Sequence, residues 1–428
     1  MTEYKGMSYL KSKLSAKRKR CEKRYDYYEM KHIFHDFSPV TPKGFEWLKE
    51  CLGWCGKSVD AIADRIIFRE FSNDTFDMTE IYNMNNPDIL FDDAILSALI
   101  TSCSFIYISK EDGGFPRLQV IDGRRATGII DPITNMLNEG YAILEVDTYD
   151  NPTKEAYFTK EQTVFYEKGE EPYEQKNVAP YALLVPVIYR PDSKRPFGHS
   201  RISRACMSIQ ESALRTLKRS EISSEFYSFP QKYVLGLSQE AEQMDTWKAT
   251  MSSMLQFDKD EDGDSPSVGQ FTQQSMTPYI EHLRMLASLF AGETGLTLDD
   301  LGFSTENPSS IEAIKAQHET LRFTAKKAQK HFATGFLNAG FLACCIRDEF
   351  PYRRNQIYQT KVKWEPLFEP DSSALSIIGD GAIKINQAVP GYFDKDNLRD
   401  LTGIDYSTSS TTSNQLNETI DFGETIED

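Results

Sequence analysis

One apolar stripe limits what this chain can fold into more than any other feature. Ile314, His318, Leu321, Ala325, Ala328, Phe332 and Phe336 recur every three or four residues, the repeat of a single helix face. Ser309 and Glu312 precede it at the S-x-x-E spacing of a capping box. The pattern lasts to about Arg347, which predicts one helix of roughly 38 residues, about 57 Å long at 1.5 Å per residue. A rod of that length is too long for an isolated compact domain. Its apolar face needs partners that a single copy does not obviously provide.

The rest of the chain is that of a folded protein. At 428 residues it has room for two or three domains, and a 12% aromatic content excludes disorder over its whole length. The longest uncharged apolar stretch, Ala94 to Ser109, falls short of the roughly 20 residues a bilayer requires, so no membrane partner is expected. The N-terminus lacks the apolar region of a secretory signal. Seven scattered cysteines read as free thiols in a reducing cytosol. Lys and Arg total 48 against 64 Asp and Glu, a net charge of −16. Such a chain is not a general nucleic-acid coat, though local basic patches could still touch phosphate.

Segment 8–31 concentrates cations (Lys11, Lys13, Lys17, Arg18, Lys19, Arg20, Lys23, Arg24) ahead of Tyr25, Tyr27 and Tyr28. It reads either as a solvated basic helix or as an arm that docks on an acidic partner or nucleic acid. A helix interrupted near Gly53 and Gly56 is expected over 42–63, a short strand over 65–71, and a buried helix over 88–101. From Phe105 to Tyr189 short β-branched and aromatic runs alternate with turn signals such as Asp122-Gly123 and Asp150-Asn151-Pro152, an antiparallel β region.

After Pro196 the period becomes helical again, with Ile202, Ala205, Ile209, Ala213 and Leu217 on one face up to about Ser228. A compact insert, 229–275, holds QKYVLGL, a helix around 240–250, the acidic run DKDEDGD, and SVGQFT. Thr277-Pro278 then opens a second helix carrying Ile280, Leu283, Leu286, Ala287 and Phe290, which ends near Gly292 or Gly295. TKVKWEPLFEP reads as a late strand, 372–388 and 394–402 as small helices, and the tail from Asp405, which has no Lys or Arg, as disordered.

No linear motif of catalysis is present: no GxxxxGK[ST], GxGxxG, HExxH or GxSxG. His32 and His35 lack companions for a metal. Cys51 and Cys55, spaced i, i+4, read as packing thiols on one helix face. Cys344 and Cys345 point apart, and DKDEDGD lacks the spacing and terminal Glu of a calcium loop. The sequence therefore assigns no catalytic residue, no metal and no cofactor.

Two segments carry a resemblance. RPFGHSRISRACMSIQESALRTLKRSEISSEFYSFPQKYVLGL has a P-F-G-x-S-x-I entry to a helix that ends in F-Y-x-x-P before a strand. FAGETGLTLDDLGFSTENPSSIEAIKAQHETLRFTAKKAQKHFA contains T-G-x-x-x-x-x-L-G and N-P-S-S-x-E-A-I. In this order and spacing they resemble the portal proteins of tailed bacteriophages. The likeness is sharp over 195–235 and 285–335 and extends by element order from about 25 to 400. A proline often found near Thr297 and Leu298 is missing.

The resemblance implies an α+β portal fold and no enzyme. After a basic N-terminal arm (1–24), an α/β wing would span 25–200, with 348–370 returning to it. Helices 201–228 and 277–291 would form the stem, packed through Ile202, Ile209, Leu217, Leu283 and Leu286. The insert 229–275 would be a small α/β clip, whose short strands could pair between neighbouring subunits. A tunnel loop, 293–308, would present Glu293, Asp299, Asp300, Phe303, Ser304, Thr305, Glu306 and Asn307 to DNA. The long wing helix 309–347, a short helical crown over 371–404 and a disordered acidic tail, 405–428, would complete the chain.

The resemblance further implies a homo-oligomeric ring, twelve subunits in this family, at one capsid vertex of the virion, assembled in the host cytoplasm. Its partners would be double-stranded DNA in the channel, the large terminase subunit, a head–tail adaptor protein, and the major capsid and scaffolding proteins. Lys218, Arg219, Lys326, Lys327 and Lys330 are candidate contacts to the DNA backbone, or else solvated faces and intersubunit salt bridges. Two other classes stay open: a different oligomeric virion connector or scaffold, and an enzyme with a dispersed active site.

Overall fold

A computed structural model describes residues 4–32, 49–110, 115–228, 232–235, 267–270, 275–303, 316–357, 359–367 and 372–404. It is a mixed helix-and-sheet structure. The basic segment at the start forms helix α1 (Met7–Tyr28). Helix α2 (Trp54–Ala63) starts after Gly53 and runs straight through Gly56, so Gly56 interrupts nothing. Strand β1 (Phe68–Ser72), the short helix α3 (Met78–Asn83) and helix α4 (Pro87–Thr101) follow. Pro87 stands in the first turn of α4, where its missing N–H costs no bond.

The antiparallel strands sort into two sheets. Strand β2 (Cys103–Lys110) pairs with β3 (Pro116–Ile121) on one side and with β9 (Leu184–Ile188) on the other. Pro186 lies in β9, an edge strand, where a residue without an N–H is tolerated. The other sheet is a meander of β4 (Ala126–Ile130), β5 (Leu137–Val146), β6 (Pro152–Phe158), β7 (Gln162–Glu167) and β8 (Tyr173–Lys176).

Helix α1 covers this meander. Leu10 and Leu14 form a small core with Tyr141 and Ile143. The buried Glu139 carboxylate of β5 accepts the backbone N–H groups of Lys5 and Gly6, at 2.9 and 3.1 Å, and so satisfies donors at the helix start. Lys13 and Lys17 donate to the carbonyls of Gly128 and Ala126 on the outer edge of β4, at 2.7 and 3.4 Å. The basic segment is thus not an arm reaching away: its apolar positions at 10 and 14 bind it to the body.

Helix α5 (Arg204–Ser228) leads to β10 (Lys232–Leu235). Strand β11 (Ser267–Gln270) and helix α6 (Thr277–Thr294) come after it. Strands β10 and β11 pair with each other, from Lys232↔Gln270 to Leu235↔Ser267. Their facing edges meet within one chain, which leaves the outer edge of each strand unpaired in the two-stranded sheet. The expected helix at 240–250 and the run DKDEDGD lie outside the described residues.

The long helix is α7 (Glu319–Arg347), 29 residues as described; Ser309, Glu312 and Ile314 lie outside the described residues. Its own chain covers the described part of the apolar stripe from Leu321 to Phe336, partners that the sequence did not make obvious. Gly335 lets it lie directly on β9, since a Cβ there would stand 3.1 Å from the Val187 Cα and 3.2 Å from the Pro186 oxygen. On another side, the Tyr82 hydroxyl of α3 donates to the Phe336 carbonyl at 2.6 Å. Leu321, Ala325, Ala328, Phe332 and Phe336 are all fully buried in one core shared with α2, α4, α5, α6, β2 and β9.

Strand β12 (Lys361–Trp364) closes the body by pairing antiparallel with β1. Helices α8 (Ser372–Ala388) and α9 (Lys395–Thr402) come last. Asp400 of α9 is ion-paired to Arg69 of β1 and Lys363 of β12, and Arg399 reaches Glu70 at 3.0 Å. The tail from residue 405 lies outside the described residues.

Candidate functional site: a rooted helical hairpin and its turn

Helices α5 and α6 run antiparallel as one hairpin, set by an apolar seam. Ile202, Ala213 and Leu214 are buried from one side and Leu286, Ala287, Phe290 and Ala291 from the other. Ile209 and Leu283 are half-buried and pack on the same core, and Leu217 is half-buried further along α5. Phe290 meets the Trp54 ring of α2 at 5.6 Å between centroids.

Polar ties pin the near end. Arg201, buried just before α5, donates from Nε to the Ser58 carbonyl at 3.1 Å and from Nη2 to the Thr294 carbonyl at the end of α6. The Thr294 carbonyl, at the helix end, has no helical partner of its own, so the guanidinium replaces one. Ser203 donates to Glu293 at 2.9 Å. Further out, the Thr216 hydroxyl and the His282 ring nitrogen lie 3.0 Å apart. Cys55 donates its backbone N–H to Gln210 at 2.8 Å, and the Tyr27 hydroxyl bonds Glu211, which fixes α5 to α2 and α1. The sequence reading missed Arg201, Ser203, Thr216 and His282. Their signal, isolated polar residues just before or within an apolar helical repeat, is weak in a single sequence.

The outer face of α6 differs. Ile280, Met285 and Leu289 are 59%, 50% and 54% exposed. Met285 and Leu289 stand one helical turn apart and form an apolar strip that no described residue covers. Ile280, which shares the helical repeat of Leu283 and Leu286, is exposed in the single chain.

The turn after α6 is ordered by its own side chains. Gly295 caps the helix in the left-handed region with φ 72° and sends the chain sideways. Leu296 and Leu301 are buried, and Phe303 packs half-buried on the main core. Asp300 accepts from both the backbone N–H and the hydroxyl of Thr297 at 2.9 Å, which caps the single 3-10 turn Asp299–Leu301. Asp299 is exposed. Glu293 and Gly292 belong to α6 itself, so the connecting segment starts two residues later than expected, at Gly295. Ser304, Thr305, Glu306 and Asn307 lie outside the described residues.

The candidate cations stand apart from one another. Lys218 is half-buried and Arg219 exposed on α5. Lys326, Lys327 and Lys330 are exposed on α7, away from its buried stripe. Among the described residues no three metal-binding side chains come together. His32 stacks on Tyr27 at 4.1 Å. Cys51 lies before α2 and is exposed, whereas Cys55 is buried, so the two share no helix face. No described helix is long and apolar enough to cross a membrane.

No family model matches the chain. The portal protein of Mycobacterium phage L5 is 24% identical over 322 residues, 69% of this chain and 65% of that one. The portal protein of Mycobacterium phage D29 is 25% identical over 318 residues, with the same shares. The chain thus spans about 65% of the length of the curated relatives it matches. Among solved structures, a chain in the neck of an empty gene transfer agent particle aligns at 13% identity over 88% of this chain and 96% of its own, with a TM-score of 0.45. The resemblance to bacteriophage portal proteins is borne out by the two phage relatives.

Proposed function

We propose that this chain is the subunit of a ring at one capsid vertex, a portal through which double-stranded DNA enters and leaves the head. The observation that carries the reading is the α5–α6 hairpin. One end is rooted in the core, the other leads to the β10–β11 ladder, and Met285 and Leu289 leave an apolar strip uncovered. A ring of like subunits would cover that strip by repeating one heterologous contact until it closes. In this reading the hairpin is the stem and the insert that begins at β10 is the clip, which docks the packaging motor and later the head–tail adaptor. The body from α1 to β9, with α7 and β12, is the wing, and α8 and α9 are the crown.

The turn 295–308 would face the channel, with Asp299 as the exposed carboxylate nearest its start. A net charge of −16 per subunit suits a wall along which DNA slides, because tight neutralisation of phosphates would stall it. Electron microscopy of the purified full chain tests the ring: closed rings with a central hole are expected, and a uniform population of single subunits would overturn the reading. The turn has its own test. Asp299→Lys would create a cationic collar, and packaging in an assembled particle should slow at low salt and recover as salt rises. Packaging at an unchanged rate at low salt, with rings intact, would remove this turn from the channel wall.

A further inference from the structure

Lys13, Lys17, Arg20 and Arg24 are spaced 4, 3 and 4 residues apart, which puts all four on one face of α1 over about 16 Å of helix. That face borders an open groove between α1, the outer edge of β4 and the segment that leads into α5. Two adjoining hollows of about 600 and 440 Å³ make up the groove, and Arg20, Arg24 and Arg195 line both. Lys23 and Arg204 line the larger one, Lys13 and Lys17 the smaller.

These charges are not neutralised by the chain. Arg20, Lys23 and Arg204 make no ion pair among the described residues. Arg24 has one long contact, 3.4 Å to the Thr101 carbonyl. Arg195 reaches only the His199 ring, at 3.4 Å, and that ring is held by Asp192 at 2.5 Å. Glu211, the one carboxylate lining the groove, is engaged by the Tyr27 hydroxyl. Burial pushes the Arg24 guanidinium below its ordinary range, and the charges of Arg20 and Arg195 push the same way. Three guanidiniums converge there with Lys23 and Arg204 against a single lining carboxylate, Glu211, an excess of positive charge in a chain whose net charge is −16.

We propose that this groove holds the phosphate backbone of a nucleic-acid strand. Adjacent phosphates deliver several negative charges on one covalent chain, and the guanidinium fork matches their oxygens two at a time. Ser102, Ser200 and Ser203 line the walls with polar side chains, and the Phe197 ring forms part of the smaller hollow. A charged channel beside an aromatic platform is how strands are gripped without regard to sequence. The groove lies on α1 and the start of α5, apart from the turn 295–308, so it is a second contact to nucleic acid. It rests on the portal reading only for which polyanion is at hand.

The test is fluorescence anisotropy of a labelled thirty-nucleotide DNA, single-stranded and duplex, titrated with the full chain across a salt series. Wild type should bind in low salt and release as salt rises. The double variant Arg20→Gln/Arg195→Gln alters two exposed side chains. It should weaken binding about tenfold and flatten the log–log salt slope by roughly 1.4, the share of two phosphate contacts on a single strand. Lys57→Gln, on the exposed face of α2, should change neither. Equal binding by wild type and the double variant would overturn the proposal. So would displacement of the DNA by polyglutamate at equal charge, which would make the groove a site for acidic protein. Electron microscopy of the same samples separates the two readings: intact rings with no DNA bound in the groove sink this inference alone, and bound DNA without rings sinks the portal reading alone.

Discussion

At the end of the hairpin nearest the body, Arg201, Ser203, Glu293 and Thr294 tie α5 to α6, and Phe290 packs against Trp54. Towards the other end Ile280 is exposed, Thr216 and His282 make a polar contact between the helices, and the chain continues into a two-stranded ladder. A ladder of two four-residue strands is marginal alone. The same two helices therefore meet two standards of burial. The near half is completed by its own chain, and the far half and the outer face of α6 expect something else against them. The contrast locates where a neighbouring copy would contribute, since an apolar side chain already covered cannot be an interface.

The largest effect should come from pairing an inner with an outer substitution on α6. Leu286→Asp buries an unpaired charge at a position only 6% exposed, and should cost about 3–5 kcal/mol in a denaturant titration. Met285→Ser with Leu289→Ser, on the exposed strip, should change single-chain stability by less than about 1 kcal/mol. It should still deplete rings in mass measurements. Equal losses of stability in both variants would erase the distinction between the two faces.

Next in size is Arg201→Ala. It leaves the Thr294 carbonyl without its donor in a dry site, about 1–3 kcal/mol, and should loosen the near end of the hairpin first. Hydrogen exchange that quickened at Thr277–Tyr279 before Phe290–Thr294 would reverse the assignment of which end is rooted.

The smallest effect should come from acid. Helix α9 is held to β1 and β12 by charge. Burial raises the Asp400 carboxyl pKa, but Lys363 and Arg69 outweigh it and hold the group below its ordinary value near 3.9. A carboxylate depressed in the folded state contributes stability above its unfolded pKa and loses it as pH falls through the folded one. Docking of α9 should thus persist at neutral pH and weaken only below about pH 4, while the Arg201 fork, which titrates no carboxylate, stays closed. A cysteine-placed fluorophore on α9 would report it. Undocking at pH 6 would point to a group other than Asp400.

Much of the fold was legible because it rests on periodicity. Thr277-Pro278 marked the start of α6, and Ile202 to Leu217 marked α5. Alternation at Val362 and Trp364 marked β12. Helix α3 was not foreseen, since six residues hold too little of a repeat, and β8 was not, since its four residues are all exposed and show no alternation. The docking of α1 was hidden by its cations: Leu10 and Leu14 are buried apolar anchors among many lysines and arginines. The Asp300 cap was hidden because Asp299 and Asp300 look alike in sequence, and only the Thr297 contact separates them. The 4-3-4 spacing of Lys13, Lys17, Arg20 and Arg24 was there to be read, but nothing local says that Arg195 joins them.

The pairing of β1 with β12 sets an order of events during synthesis. The Ser72 hydroxyl bonds the Lys361 carbonyl across 289 positions of chain. At about 5–20 residues per second, β1 leaves the ribosome roughly 15–60 s before its partner strand exists. For that interval an aromatic strand bearing Phe68 and Phe71 waits with an open edge. Contacts between such distant segments slow folding, because the intervening loop must be closed before the pairing rewards it. Deleting the insert beyond β10 shortens that loop without touching either strand, so it should speed closure of the body in refolding experiments.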